Sequence, residues 1–348
     1  MAYDWPSVTP DNARILFRAQ RWSERDAPWD LFRCDTDGLN LFQLTKREPD
    51  CGKISARLSL DGKTVYVAWS GEPILWRLEM ETGAIQVAAD FSDRAVDCPG
   101  LSIGCNSEVP GERLLISLRS PATRSVEAAV VDLRTGELAL FGNDTVPYGF
   151  DFARNRPLVI RNQRRLSVAT RPDGSRAIEN TRPEPQKIHR VDTEGHDEAF
   201  IATTESFGHS TVLGRTGQVQ GTGKPPHRCI WIAEADKEPR ELVQGPYFWH
   251  SGASFDGEWI VADTNWPDEG LQLIHAPTRH FRTLCHPRAT EGQPNLGHPH
   301  PSLSHDGRVC VFGSDRTGIS QVNVAQINDE FRESVIAGEL DNPRDKWV

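Results

Sequence analysis

The 348-residue chain has only two methionines and no apolar run approaching the roughly 18 residues of a membrane-crossing helix. Its start, "MAYDWPSVTPDNARILF", lacks a basic segment followed by an apolar stretch, so no signal peptide and a cytoplasmic location are expected. Basic charge is not in excess either. The formal net charge of −10 speaks against a nucleic-acid partner, which needs a basic footprint, but it permits an anionic small substrate at a locally positive site. The seven cysteines are scattered, odd in number and without a C-x-x-C, which reads as reduced, mostly buried thiols rather than a disulfide framework. Also missing are the H-E-x-x-H of zinc proteases and a phosphate-cradling glycine loop. Paired carboxylates for glycoside hydrolysis do not stand out among 49 acidic residues.

What the chain has in quantity is turn and strand material: 28 glycines, 24 prolines and ten tryptophans, with 37% hydrophobic residues to build a core. Such a composition suits many short strands rather than a helical bundle. One pattern recurs, a small or polar residue followed by Asp-Gly or a relative and then an alternating apolar run. It appears as "TPDNARILF" at Asp11, "SLDGKTVYV" at Asp61, "SFDGEWIVA" at Asp256 and "SHDGRVCVF" at Asp306. Two of the spacings are 50 residues, 61 − 11 and 306 − 256. Weaker turns near Pro110-Gly111, Asn155 and Arg215 fill the interval and bring the repeats to seven. The second halves recur as strand, D-x-x-T/D-G-like turn, strand, as in "EAAVVDLRTGELALF", because Asp and Gly tolerate the positive φ that tight hairpins need. Four strands every ~40–50 residues is the mark of a propeller blade. The expectation is an all-β chain, a seven-bladed β-propeller of four-stranded antiparallel blades, with residues 1–348 as a single domain.

Alignment of the last three repeats on the Asp-Gly turn brings histidines into register. In "GHSTVLGRTG", "WHSGASFDGE" and "PHPSLSHDGR", His209, His250 and His300 each lie six residues before the turn position. The first four repeats carry no histidine there. If the strand before the turn is the innermost of its blade, these side chains converge at one mouth of the central channel. His298, two residues before His300, is expected on the same side of its strand. Any single histidine near a strand end is more often a hydrogen-bonded or exposed side chain than a ligand. Four in register are different, since neutral imidazoles from separate strands make a transition-metal clamp. The remaining histidines read as surface or turn residues, with His227 in "GKPPHRC" held open as a substrate contact.

At these residues the chain resembles the oligogalacturonate lyase family, seven-bladed propeller lyases of pectin catabolism. "FGHST" looks like the family's segment bearing the catalytic base, "YFWHSGASFDG" like its first metal-histidine segment, and "HPHPSLSHDG" like its paired metal-ligand histidines. The resemblance implies a divalent ion, Mn²⁺ in the family, on His250, His298 and His300, with His209 as the base that removes the C5 proton of a uronate. A glutamine three residues before the paired histidines completes the family's set. Here that place is Asn295, with Gln293 two residues earlier, so either amide is a candidate fourth ligand. The family also uses a cation near the base, for which Lys187, Arg190, Arg215 and Arg228 are candidates. The implied activity is β-elimination on short acidic oligosaccharides. Another uronide lyase, an epimerase or a hydrolase on the same metal site, and a non-catalytic binding propeller, remain alternatives.

Overall fold

The computed structural model describes residues 7–20, 28–46, 54–69, 71–94, 100–109, 112–119, 126–140, 147–153, 158–163, 167–170, 176–179, 187–192, 196, 199–203, 207–265, 269–290 and 298–339. Its strands form six four-stranded antiparallel sheets, a seventh sheet of three strands and a separate two-stranded hairpin. Each sheet is a meander in which chain neighbours pair. In the fourth, the hairpin Ser167–Thr170 and Arg176–Glu179 is inserted between the second and third strands. The weak turns at Pro110-Gly111 and Asn155 lie outside the described residues, but the strands flanking each of them pair antiparallel.

The recurring turn has a side-chain cause. Ser59 Oγ donates to Asp61 Oδ1 at 2.6 Å, Asp61 accepts from the Lys63 amide at 3.0 Å, and Ser59 Oγ accepts from the Thr64 amide at 2.9 Å. Thr9 with Asp11, Ser254 with Asp256 and Ser304 with Asp306 repeat the arrangement. A hydroxyl and a carboxylate two residues apart thus satisfy the backbone donors of the reversal. The next position takes positive φ, 74° at Gly62 and Gly257, 70° at Gly307 and 59° at Asn12. In the fifth sheet Leu213 and Arg215 replace the Ser and Asp. That turn closes instead on backbone bonds and Thr216, whose Oγ donates to the Leu213 carbonyl at 2.6 Å.

Neighbouring sheets pack face to face. Leu16, Leu31 and Leu44 of the first meet Ile54, Val65 and Val67 of the second, and Leu213, Ile230 and Ile232 of the fifth meet Ile260, Ala262 and Ile274 of the sixth. The last returns to the first, as Val309 and Val311 pack with Val8, Ile15 and Cys34, and Asn12 Nδ2 donates to Asp306 Oδ2 at 2.8 Å. First strands of successive sheets lie against one another, which puts them at the centre of the ring. The architecture is a β-propeller. Cys34, Cys229, Cys285 and Cys310 are free thiols, three of them buried.

One element falls outside the repeat pattern. The helix Asp329–Ala337 is N-capped by Asn328, whose Oδ1 accepts from the Phe331 amide at 2.8 Å, and ends at Gly338 with φ 77°. It buries Val335 and packs the half-buried Phe331 against the sixth and seventh sheets, and it lays Arg332 over the Trp259 ring, 4.5 Å from its centroid. No helix among the described residues is long and apolar enough to cross a membrane.

Candidate metal centre

His209 lies in the first strand of the fifth sheet, Phe207–Val212, and His250 in that of the sixth, Phe248–Ala253. Both strands are interrupted at the histidine. Phe207 opposes Gly223 and Ser210 opposes Gly221, so Gly208 and His209 together face Thr222. Phe248 opposes Thr264 and Ser251 opposes Ala262, so Trp249 and His250 together face Asp263. Each is a β-bulge, two residues against one, which breaks the ladder and re-aims the side chains.

The residue opposite each bulge supplies the acceptor that the ladder has lost. Thr222 Oγ1 accepts from the His209 amide at 3.2 Å and donates to the Trp249 carbonyl at 3.1 Å, tying the two sheets together. Asp263 does more. Its Oδ1 accepts from the His250 amide at 2.6 Å, and its Oδ2 accepts from His250 Nδ1 at 2.9 Å and from the His300 amide at 3.1 Å. In the seventh sheet the corresponding place is Gly313, which has no side chain, and there the His300 amide reaches the acid of the sixth sheet instead.

The imidazoles converge. His250 has its ring centroid 4.7 Å from that of His209, 5.4 Å from that of His298 and 3.8 Å from that of His300, and the His298 and His300 centroids are 6.0 Å apart. The strand argument for His298 and His300 needs correction, although the convergence holds. The last first-strand begins only at Ser302, and His300 takes φ 45°, so the left-handed turn rather than the two-residue pleat brings the pair to His250.

Electrostatics favour uncharged ligands. Burial, reinforced by the neighbouring imidazoles, lowers His250 and His300 to about 3 and His209 to about 4. Burial pushes Asp263 up to about 6, against the pull of its amide donors and the nearby histidines. At neutral pH Asp263 is therefore a carboxylate and His250 a neutral imidazole. The Nδ1 proton of His250 is directed at Asp263, which leaves the Nε2 lone pair for an ion. Ligand atoms of His250, Asp263 and His298 lie within 4.8 Å of one another. The set fits a divalent cation, with imidazole nitrogens as donors. Asp263, already accepting three N–H groups, is placed to orient His250 and His300.

The other sequence candidates are dispersed. Gln293 and Asn295 lie outside the described residues. Arg215 sits in the turn at the far end of the strand from His209 and stacks on Phe255, 4.0 Å from the ring centroid. Arg190 is half-buried in mid-strand, opposite Ile160 and Ala199. Lys187, exposed, begins the third strand of the fourth sheet at the histidine end, and Arg228, exposed, lies in the loop at the histidine end of the fifth. Sequence reasoning passed over three residues. Asp263 had a signal, as the one acid within the wholly buried strand "WIVADT". Thr222 stands 41 residues before Asp263, the same interval that separates His209 from His250. Lys224 had none, and its charge is near enough to contribute to the lowering at His209. Gly100–Gly104 spells G-x-S-x-G, but it runs inside a strand with Ser102 opposite Ser117, without the strand-to-helix elbow of a serine nucleophile.

No family model matches the chain, and no curated protein is similar to it in sequence. Solved structures do share its fold. An oligogalacturonate lyase in complex with manganese superposes with a TM-score of 0.71 at 18% identity, over 94% of this chain and 89% of the other. An oligogalacturonate lyase from Vibrio parahaemolyticus gives 0.69 at 17% identity, over 94% and 90%. A β-propeller domain from Myceliophteria thermophila gives 0.53 at 10% identity, over 93% and 96%. At these identities the likeness is one of fold, and the fold is that of β-propellers.

Proposed function

We propose that this protein is a metal-dependent lyase that cleaves short uronate oligosaccharides, of the oligogalacturonide kind, by β-elimination. The carrying observation is the convergence of His209, His250, His298 and His300 around one point, with His250 and His300 both tied to Asp263. The fold shared with oligogalacturonate lyases, one of them a manganese complex, supports the same reading. A divalent ion held by His250, His298 and His300, Mn²⁺ in that family, would when bound act as a Lewis acid on the substrate carboxylate and so acidify the proton at C5.

In this reading His209 is the residue that moves the proton. Its ring adjoins that of His250, and it is unprotonated at neutral pH. It takes the C5 proton onto a ring nitrogen, the C5–H electron pair becomes the C4=C5 double bond, and the C4–O bond breaks to release the leaving sugar. An anionic substrate alongside raises the proton affinity of the imidazole, because the imidazolium then gains an opposite charge. The Thr222 hydroxyl at the His209 amide and the T-shaped packing of Trp249 against its ring, 4.7 Å between centroids, hold the base in place.

The test is ultraviolet absorbance of the conjugated unsaturated product, measured on saturated and unsaturated di- and trigalacturonate with Mn²⁺. A rise abolished by EDTA is expected. A flat trace with metal still bound overturns the elimination on galacturonides and turns attention to other uronides or to epimerisation. A flat trace with no metal bound points to a binding propeller.

A further inference from the structure

We propose that the outer edge of the second sheet is a dimer interface, at which the strand Ile85–Asp90 pairs antiparallel with the same strand of a second copy of this chain. The proposal is independent of the metal-site reading.

Of the nine large hydrophobic side chains exposed among the described residues, five fall on the outer edges of the first and second sheets: Leu39, Leu41, Phe42, Ile85 and Val87. The two edges touch, since a Cβ on Gly83 would lie 3.6 Å from the Phe42 ring. Ile85 stands opposite Leu78 and Val87 opposite Trp76, so all four side chains share one face of the second sheet. Leu78 is buried with Leu16, Leu31 and Leu44 of the first sheet, and Trp76 packs on that cluster. The apolar face therefore continues beyond the core between the two sheets and meets solvent at Ile85, 47% exposed, and Val87, 50% exposed. The cause is a difference in length. The outer strand of the first sheet is only Phe42–Gln43, too short to cover the six residues of Ile85–Asp90.

The other outer strands are protected in the ways that edges usually are. That of the third sheet has three residues, that of the fifth begins with Arg240 and Glu241, and that of the sixth is covered by the helix Asp329–Ala337, whose Ile336 carbonyl accepts from His280 Nδ1 at 2.9 Å. The outer strand of the fourth sheet exposes Phe200 alone among its large apolar side chains, and Gln321–Gln326 of the seventh exposes none. Ile85–Asp90 has no such protection before Asp90. Its backbone is also poised to pair. The Glu79 amide donates to the Ala84 carbonyl at 2.8 Å, so the alternation of an antiparallel ladder turns the N–H and C=O of Gln86 toward the third strand and those of Ile85 and Val87 outward.

The strand is complementary to itself. A two-fold axis through Gln86 sets Ile85 of each copy opposite Val87 of the other, and the outward groups of these residues make four backbone hydrogen bonds that join two four-stranded sheets into one of eight. Charge favours a second copy as the occupant. Chains of net charge −10 repel one another unless they meet where charge is absent, and residues 39–43 and 84–89 carry no ionisable side chain. A basic partner would find no acid on this patch.

The experiment is sedimentation velocity of the full chain at concentrations up to about 100 μM. The parent should sediment as a dimer that dissociates on dilution. Ile85→Lys and Val87→Glu, made separately, should each raise the concentration for half-dimerisation about a hundredfold, because the axis brings two like charges into the interface. Both should keep the melting temperature of the parent's monomer, as the two side chains lie outside the buried core. An equal mixture of the two variants should form a heterodimer, since the introduced lysine of one then faces the introduced glutamate of the other. A parent that is monomeric at 100 μM, a dimer that both substitutions leave intact, or two variants that stay apart when mixed would each overturn the pairing.

Discussion

Asp263→Asn should keep the fold and lose the metal. The carboxylate accepts three N–H groups, the His250 amide at 2.6 Å, His250 Nδ1 at 2.9 Å and the His300 amide at 3.1 Å. A carboxamide of the same shape has one acceptor oxygen and an NH₂ that donates. Two outcomes are open to it. It turns the NH₂ toward a backbone amide, leaving donor against donor in a buried site, at about 1–3 kcal/mol. Otherwise it donates to His250 Nδ1, which moves the imidazole proton to Nε2, the nitrogen the ion needs. Either way the ligand orientation suffers, and loss of such a partner typically weakens metal affinity about 10–100-fold. Asp263→Ala strands all three donors and costs more stability, about 2–5 kcal/mol, offset in part because the buried carboxylate itself is costly. Mn²⁺ titration calorimetry, with urea unfolding of the metal-free proteins, separates the two effects. Mn²⁺ affinity of Asp263→Asn within about twofold of the parent, well short of the 10–100-fold loss that a missing orienting partner causes, would refute the assignment of Asp263 as the orienting acid.

Single changes of His250, His298 or His300 to Ala should each lower manganese content and activity together, whereas His209→Ala should retain the metal and lose turnover. Metal analysis beside product absorbance checks the division, and metal loss in His209→Ala would break it. The metal-free protein should melt at a lower temperature at pH 5 than at pH 7. His250 and His300 at about 3 and His209 at about 4 stay neutral when folded but protonate near 6.5 when unfolded. The unfolded chain therefore binds more protons and stability falls as pH drops through that window. Asp263, raised to about 6 from 3.8, works in the opposite direction but counts one proton against three. Differential scanning fluorimetry with chelator present reads this, and a higher melting temperature at pH 5 would contradict it. Thr222→Val should cost about 0.5–2 kcal/mol by removing the acceptor of the His209 amide, and should lower kcat without lowering manganese content.

Much of the architecture was legible in the chain because the turns are local. A Ser or Thr two residues before an Asp, followed by Gly or Asn, bonds its own backbone, so "SLDG", "SFDG" and "SHDG" announce the reversals wherever they stand. Counting back six residues from the last two of these turns, and from the weaker one at Arg215, located His250, His300 and His209, and the first strands do lie together at the centre. The helix Asp329–Ala337 went unread, being outside the repeat. The placement of Lys224 near His209 was equally hidden. Arg215 and Lys224 are both basic and close in sequence, but one belongs to the turn at the far end of its strand and the other to the loop at the near end.

The residue types and their register belong to the sequence: which turns repeat, which blades carry histidine, and that the candidate ligands are imidazoles. The working geometry belongs to the tertiary structure. The bulges at His209 and His250, the positive φ of His300 and the carboxylate that serves two sheets at once all depend on how strands meet across the ring. Asp263 takes the His300 amide, 37 residues along the chain, while the seventh sheet has Gly313 at the position that Asp263 occupies in the sixth. Hydrogen-bond satisfaction in a buried site is a condition on neighbours in space, and a one-dimensional pattern with period 50 or 41 does not contain it.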